Sequence, residues 1–179
     1  MLQATVLGKQ IYDITGRELD IGLLGLAEFL PAALLVLVTG SVADRFNRKI
    51  VGGIAVGFEL LSSLALGIYA LSKPTAVWPL FVIAFIFGCA RAFAAPSIRS
   101  IPPMVAPDGA LPRTIAMYSA TWTTAAIIGP ATGGFLYAVD PSVAYFVSAA
   151  LIGIGVSFLL SIKFVRPQTR QALKDKAEK

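Results

Sequence analysis

Five stretches of this chain, 21–43, 50–71, 78–104, 116–139 and 143–162, each run for about twenty residues or more with almost no charge. A helix rises about 1.5 Å per residue, so roughly twenty residues cross the hydrocarbon core of a bilayer. Runs this long and this apolar leave no polar face for water, which argues against a soluble helical protein. They are continuous rather than alternating, and they exceed the roughly ten residues of a membrane barrel strand. The expected fold is therefore an all-α membrane protein, an antiparallel bundle of transmembrane helices. Composition agrees: 56% of the 179 residues are hydrophobic and 14% are charged, far from the usage of a soluble domain. The apolar stretch before Lys9 is short and lacks both a basic leader and a small-residue cleavage pattern, so it is not read as a signal peptide.

The net charge of +5 is distributed as a topology signal, not as a nucleic-acid footprint. Arg45, Arg48 and Lys49 share one connection, Arg99 and Arg113 flank the connection two spans later, and Lys163, Arg166, Arg170, Lys174, Lys176 and Lys179 follow the last span. Only Lys9, Arg17 and Lys73 fall on the opposite side, a bias of eleven to three that places the loaded side in the cytoplasm. The expectation is a multi-pass protein of the cell (inner) membrane with a cytoplasmic C-terminal tail. Residues 1–165 form one transmembrane unit and 166–179 a polar tail, whose bases can meet anionic lipid heads. Histidine is absent and Cys89 is the single cysteine, so neither a zinc cluster nor a His-based triad can be assembled. No cofactor, metal site or enzymatic activity is expected.

The densest internal charge lies in "GSVADRFNRK", where Gly40, Asp44, Arg45, Arg48 and Lys49 fit the pattern G-x-x-x-D-R-x-x-R-[RK]. This loop resembles the major facilitator superfamily, in which it joins the second and third helices on the cytoplasmic side. A second pattern, G-x-x-x-G-P-x-x-G-G, appears as Gly129, Pro130, Gly133 and Gly134, with Ala125 in place of the leading glycine. "YDITG", "LAEFLPA" and "GCARAFAAPSIRSIPPMVAP" extend the resemblance to a bacterial branch that includes enterobactin exporters and related efflux proteins. The resemblance implies that the five spans are family helices two to six and that residues 1 to about 12 are the end of helix one. The chain would then be the N-terminal half of a twelve-helix transporter, lacking most of the first helix and the C-terminal six-helix half. It further implies proton-coupled export of a small molecule, of drug or siderophore type, by alternating access. The alternative is a non-transporting scaffold that binds a partner helix through the face from Gly129 to Gly134.

In that family the loop latches against the opposing half, with Asp44 facing a helix N-terminus, or Asp44 serves only to neutralise its arginines. Pro130 cannot donate a backbone hydrogen bond, so the fifth-helix motif is either a bendable coupling element or a close-packing seam of small residues.

Three charges interrupt the spans, and each is costly enough at membrane depth to face protein or water. By the helical rise, Glu28 lies about 10 Å below the outer boundary, Glu59 about 14 Å and Arg91 about 12 Å above the inner one. On those depths Glu28 and Arg91 are not expected to be direct partners. Arg91 shares a stripe with Ala84, Gly88, Ala94 and Ala95, which leaves room beside its guanidinium for an anionic substrate group or a proton-carrying carboxylate, unless it snorkels to the interface. Glu28 is the first candidate for proton binding or a packing carboxylate, and Glu59 is expected to pair within the bundle.

Overall fold

The structure is a computed structural model that describes residues 1–45, 47–107 and 109–161, and of residues 36, 37, 40–44 and 48 it describes the backbone alone. Phe46, Asp108, the tail expected at 166–179, and the side chains of Asp44 and Arg48 lie outside the described residues.

The order of helices is α1 (Leu2–Thr15), α2 (Glu18–Arg45), α3 (Arg48–Leu71), α4 (Trp78–Arg99), α5 (Ile101–Val105), α6 (Leu111–Val139) and α7 (Pro141–Ser161). Local chemistry sets their ends. Gly16, at φ 65°, closes α1 in the left-handed region that a side chain resists, and its N–H bonds to the Tyr12 carbonyl at 2.7 Å. Glu18 and Asp20 stand in the first turn of α2 and Arg45 in its last, each complementing the helix dipole. Only two residues separate α2 from α3, whose first turn is capped by Asn47 accepting from the Lys49 N–H at 3.0 Å. Asp140 accepts from the Ser142 N–H at 2.8 Å where α7 begins.

The long apolar run expected to continue to residue 104 is helical throughout except at Ser100, where α4 gives way to α5. Pro102 and Pro103 have no N–H to bond the carbonyls of the preceding turn, which accounts for the interruption.

The helices form an all-α bundle. α3 lies between α4 and α7, α2 packs on α4, and α1 is held among α2, α6 and α7. Although α1 is only 14 residues long, its Val6, Leu7 and Ile11 are at most 1% exposed. They meet Leu24, Leu66, Leu80 and Tyr145 in the core. Two buried amides on α1 tie it to its neighbours: Tyr145 of α7 donates to Gln10 Oε1 at 2.7 Å, and Ser63 of α3 donates to Gln3. Such bonds between membrane helices stabilise by about 0.6 kcal/mol on average.

Lys49–Leu71, Trp78–Val105 and Pro141–Ser161 are long and apolar enough, among the described residues, to cross a membrane. α2 and α6 contain 28 and 29 residues, lengths of roughly 42 and 44 Å. Outward-facing positions carry Phe29, Leu34, Ile54, Leu61 and Phe158, a surface suited to lipid rather than water.

Candidate functional site

The small residues of α4 organise the site. A Cβ on Gly88 would stand 2.5 Å from the carbonyl oxygen of Glu28, so α2 is in backbone contact with α4 at this level. Arg91 follows one turn later. Glu28 and Arg91 accordingly share a cavity, together with Gly25, Thr39 and Gly88, of about 790 Å³. This corrects the depth estimate that kept the two apart: the axial offset is set by the three residues from Gly88 to Arg91, roughly 4.5 Å. Their heavy atoms nevertheless do not come within 4 Å as an ion pair among the described residues.

On its other side α4 borders a second cavity of about 790 Å³, walled by α3, α4, α6 and α7 and lined by Glu59, Arg91, Ala94, Tyr118, Trp122 and Ser148. Arg91, Ala95, Arg99 and Met1 line both cavities. The space expected beside Arg91 is thus present on two sides of it.

Glu59 is the residue that sequence reasoning set aside as a bundle pairing. It faces the second cavity, which Arg91 also lines. Its depth, estimated at about 14 Å above the inner boundary, is close to the about 12 Å estimated for Arg91. Within this wall the Gln3 amide nitrogen is buried with no acceptor among the described residues.

The glycine motif of α6 divides in two. Cβ atoms on Gly129 and Gly133 would fall 2.8 Å from Met1 Cβ and 3.0 Å from the Leu2 carbonyl oxygen, whereas Gly134 has nothing within 4 Å. The Gly129 and Gly133 side of α6 is therefore occupied by α1. A partner helix docking on that side would have to displace it. Pro130 lies inside α6 without ending it.

Of the charged loop, the structure describes the exposed Arg45 and the partly buried Lys49. Gly40, Asp44 and Arg48 are described by their backbone alone and stand at the junction of α2 and α3.

At the opposite end of the bundle α1 is stapled to α6. Tyr137 donates to Asp13 Oδ2 at 2.7 Å, Lys9 bonds the other oxygen, and the Lys9 ammonium lies 5.5 Å from the Tyr137 ring centroid. The bonds from Lys9 and then Tyr137 hold the Asp13 carboxyl below the usual carboxylate range.

Comparison with known proteins now bears on this arrangement. The family model described as Major Facilitator Superfamily matches residues 2–179. The chain is 27% identical over 128 residues to "Macrolide efflux protein A" of Streptococcus pyogenes, covering 70% of this chain and 31% of that protein. It is 29% identical over 124 residues to the protein of the same name from Enterococcus faecalis, covering 68% and 36%. It is 30% identical over 133 residues to "Multidrug resistance protein 1" of Bacillus subtilis, covering 74% and 32%. The chain spans about a third of the length of these curated relatives. No solved structure matches.

Proposed function

Because the chain belongs to the major facilitator superfamily, we propose that it works in a multi-pass membrane transporter that expels a small drug-like molecule from the cell by alternating access. The observation that carries this reading is the family match across 2–179 in a chain whose nearby relatives bear efflux and multidrug-resistance names. The two cavities beside Arg91 supply what such a transporter requires, a water-accessible volume at membrane depth lined by apolar and aromatic walls with few charges.

In this proposal residues 1–165 are one transmembrane unit, working against a second six-helix unit, and 166–179 begin the cytoplasmic connection between them. The short span relative to the relatives supports that division. Arg91 and Glu28 lie on the path of substrate and proton, with outward movement of substrate exchanged for inward movement of a proton. Gly40, Asp44, Arg45, Arg48 and Lys49 latch the cytoplasmic side. Gly129, Pro130, Gly133 and Gly134 let α6 pack on α1 and bend.

The test is accumulation of a radiolabelled macrolide in a drug-sensitive bacterium that expresses the intact gene. Lower accumulation, restored by a protonophore, is expected. Accumulation equal to the empty-vector control, with the protein present in the membrane, would refute export. Arg91→Leu should abolish the effect without lowering the membrane level, and Glu28→Gln should uncouple it from the pH gradient while leaving binding intact.

A further inference from the structure

We infer that the cavity beside α6 is a hydrogen-bond-donor site for an uncharged ligand that carries ester, ketone or ether oxygens on an apolar frame, with Gln3 and Ser148 as the donors. The inference deepens the efflux reading, on which it rests for the identity of that ligand as a substrate.

Two polar side chains in this wall are buried and unspent. Gln3 is 3% and Ser148 6% exposed, and both line the cavity. The Gln3 amide accepts from Ser63 through its oxygen, which leaves its nitrogen without an acceptor among the described residues. Ser148 makes no side-chain hydrogen bond among the described residues, although the similarly buried Ser62 and Ser97 each return theirs to the carbonyl four residues back in their own helix. An unmade hydrogen bond at a buried donor is costly, and an acceptor brought in by a ligand removes that cost at both. Across the α1–α7 contact Tyr145 bonds Gln10. Counted inward from that pair, Ser148 lies one turn along α7 and Gln3 two turns along α1, so the two donors stand roughly 6 Å apart along the bundle, a spacing that two oxygens on one ligand can match. The rest of the lining has the same bias. Trp122 can only donate, Thr132 has already spent its hydroxyl on the Ile128 and Gly129 carbonyls, and Glu59 is the lining side chain restricted to accepting. Arg91 and Arg99 face the same space with charge opposite to that of Glu59. A ligand charge of either sign would therefore meet repulsion as well as attraction, which an uncharged acceptor avoids.

The experiment measures equilibrium binding of two radiolabelled macrocycles to the 179-residue chain in lipid nanodiscs. The probes are the lactone pentadecanolide and the hydrocarbon cyclohexadecane, rings of equal size, each corrected for uptake by empty nanodiscs. Saturable binding is expected, with the lactone preferred by roughly tenfold or more, the scale of two net hydrogen bonds. Gln3→Met and Ser148→Ala should each lower that preference by roughly fivefold, the scale of one, and leave the hydrocarbon unchanged. A variant that only disturbs packing weakens both rings alike. Ser148→Ala removes a single oxygen and should melt near the wild-type temperature, so it reads the donor even where Gln3→Met lowers the yield of folded protein.

Equal affinity for the two rings in the wild type, an unchanged preference in both variants, or a parallel loss of both rings in Ser148→Ala would overturn the inference. Such a result in a gene product that still lowers macrolide accumulation leaves the efflux reading standing. The expected preference in a gene product that exports nothing would overturn that reading instead.

Discussion

Replacing Gly88 with alanine tests the closest contact in the bundle. The added Cβ would lie 2.5 Å from the Glu28 carbonyl oxygen and 3.1 Å from its Cα, both backbone atoms that cannot turn aside. Ordinary contact begins near 3.4 Å, so α2 and α4 must separate by roughly 0.9 Å here. Overpacking of this kind destabilises by about 1–3 kcal/mol, against about 0.5–1 kcal/mol gained by removing a glycine from a helix interior. The net loss, about 2 kcal/mol at the upper end, corresponds to a fall in Tm of roughly 4–8 °C for a chain of this size. Cys89 is the single cysteine and lies beside the contact, so labelling by a thiol-reactive fluorophore during a temperature ramp reports the opening of this helix pair. Gly134→Ala, at a site with nothing within 4 Å, is the control and should melt at or above the wild-type temperature. If Gly88→Ala and Gly134→Ala melt within about 1 °C of each other, the α2–α4 contact is not a limiting one and the placement of Glu28 beside Arg91 loses its basis.

Asn47→Ala removes the cap on α3 and should cost about 1 kcal/mol in the same thermal assay, with Asn47→Asp close to wild type. The staple between Asp13, Lys9 and Tyr137 predicts a pH dependence. The folded-state carboxyl titrates below its unfolded value of about 3.9, so its stabilisation is complete above that pH and is lost as pH falls through the lower folded value. Thermal stability should hold from pH 8 to 5 and drop below about pH 4, and Asp13→Asn should remove that part of the drop. Ala95 lines both cavities, so Ala95→Leu should raise accumulation of the radiolabelled macrolide while leaving the melting temperature near wild type. A variant that exports normally would show that the substrate passes elsewhere.

Much of the fold could be read directly from the residues because lipid leaves so few choices. The long uncharged runs required helices, but the ends that Gly16, Asn47 and Pro102 set through their own backbone chemistry were not drawn, and the third run was expected to continue unbroken to residue 104. The importance of α1 was less visible. A segment of 14 residues with Lys9 and Asp13 in it looks peripheral, and only the packing shows Val6, Leu7 and Ile11 at the centre of the bundle. At the site, the stripe around Arg91 was recognisable from its spacing, but the cavity it shares with Glu28 was not. It depends on the stagger between α2 and α4, which Gly88 fixes through a contact with backbone, and no pattern within one helix records the level at which another helix meets it. Glu59 was expected to pair within the bundle, and only the packing shows it facing a cavity.

The way α4 divides its residues between the two cavities explains why the shared position is an arginine at 91. Successive side chains turn by about 100°, so with Gly88 at zero, Ala94, Phe87 and Ile98 fall at about 240°, 260° and 280°, and Ala92 and Pro96 at about 40° and 80°. The first group lines only the cavity of Glu59, while Gly88 and the second group line only the cavity of Glu28. Between them, at about 300° and 340°, stand Arg91 and Ala95, and both line the two cavities, as does Arg99 further along the helix at about 20°. Ala95 keeps the passage between the two sides open by being small, and Arg91 spans it by being long. A guanidinium at 94 would belong to Glu59 alone and one at 92 to Glu28 alone. Of these three positions, 91 is the one from which a guanidinium borders both cavities.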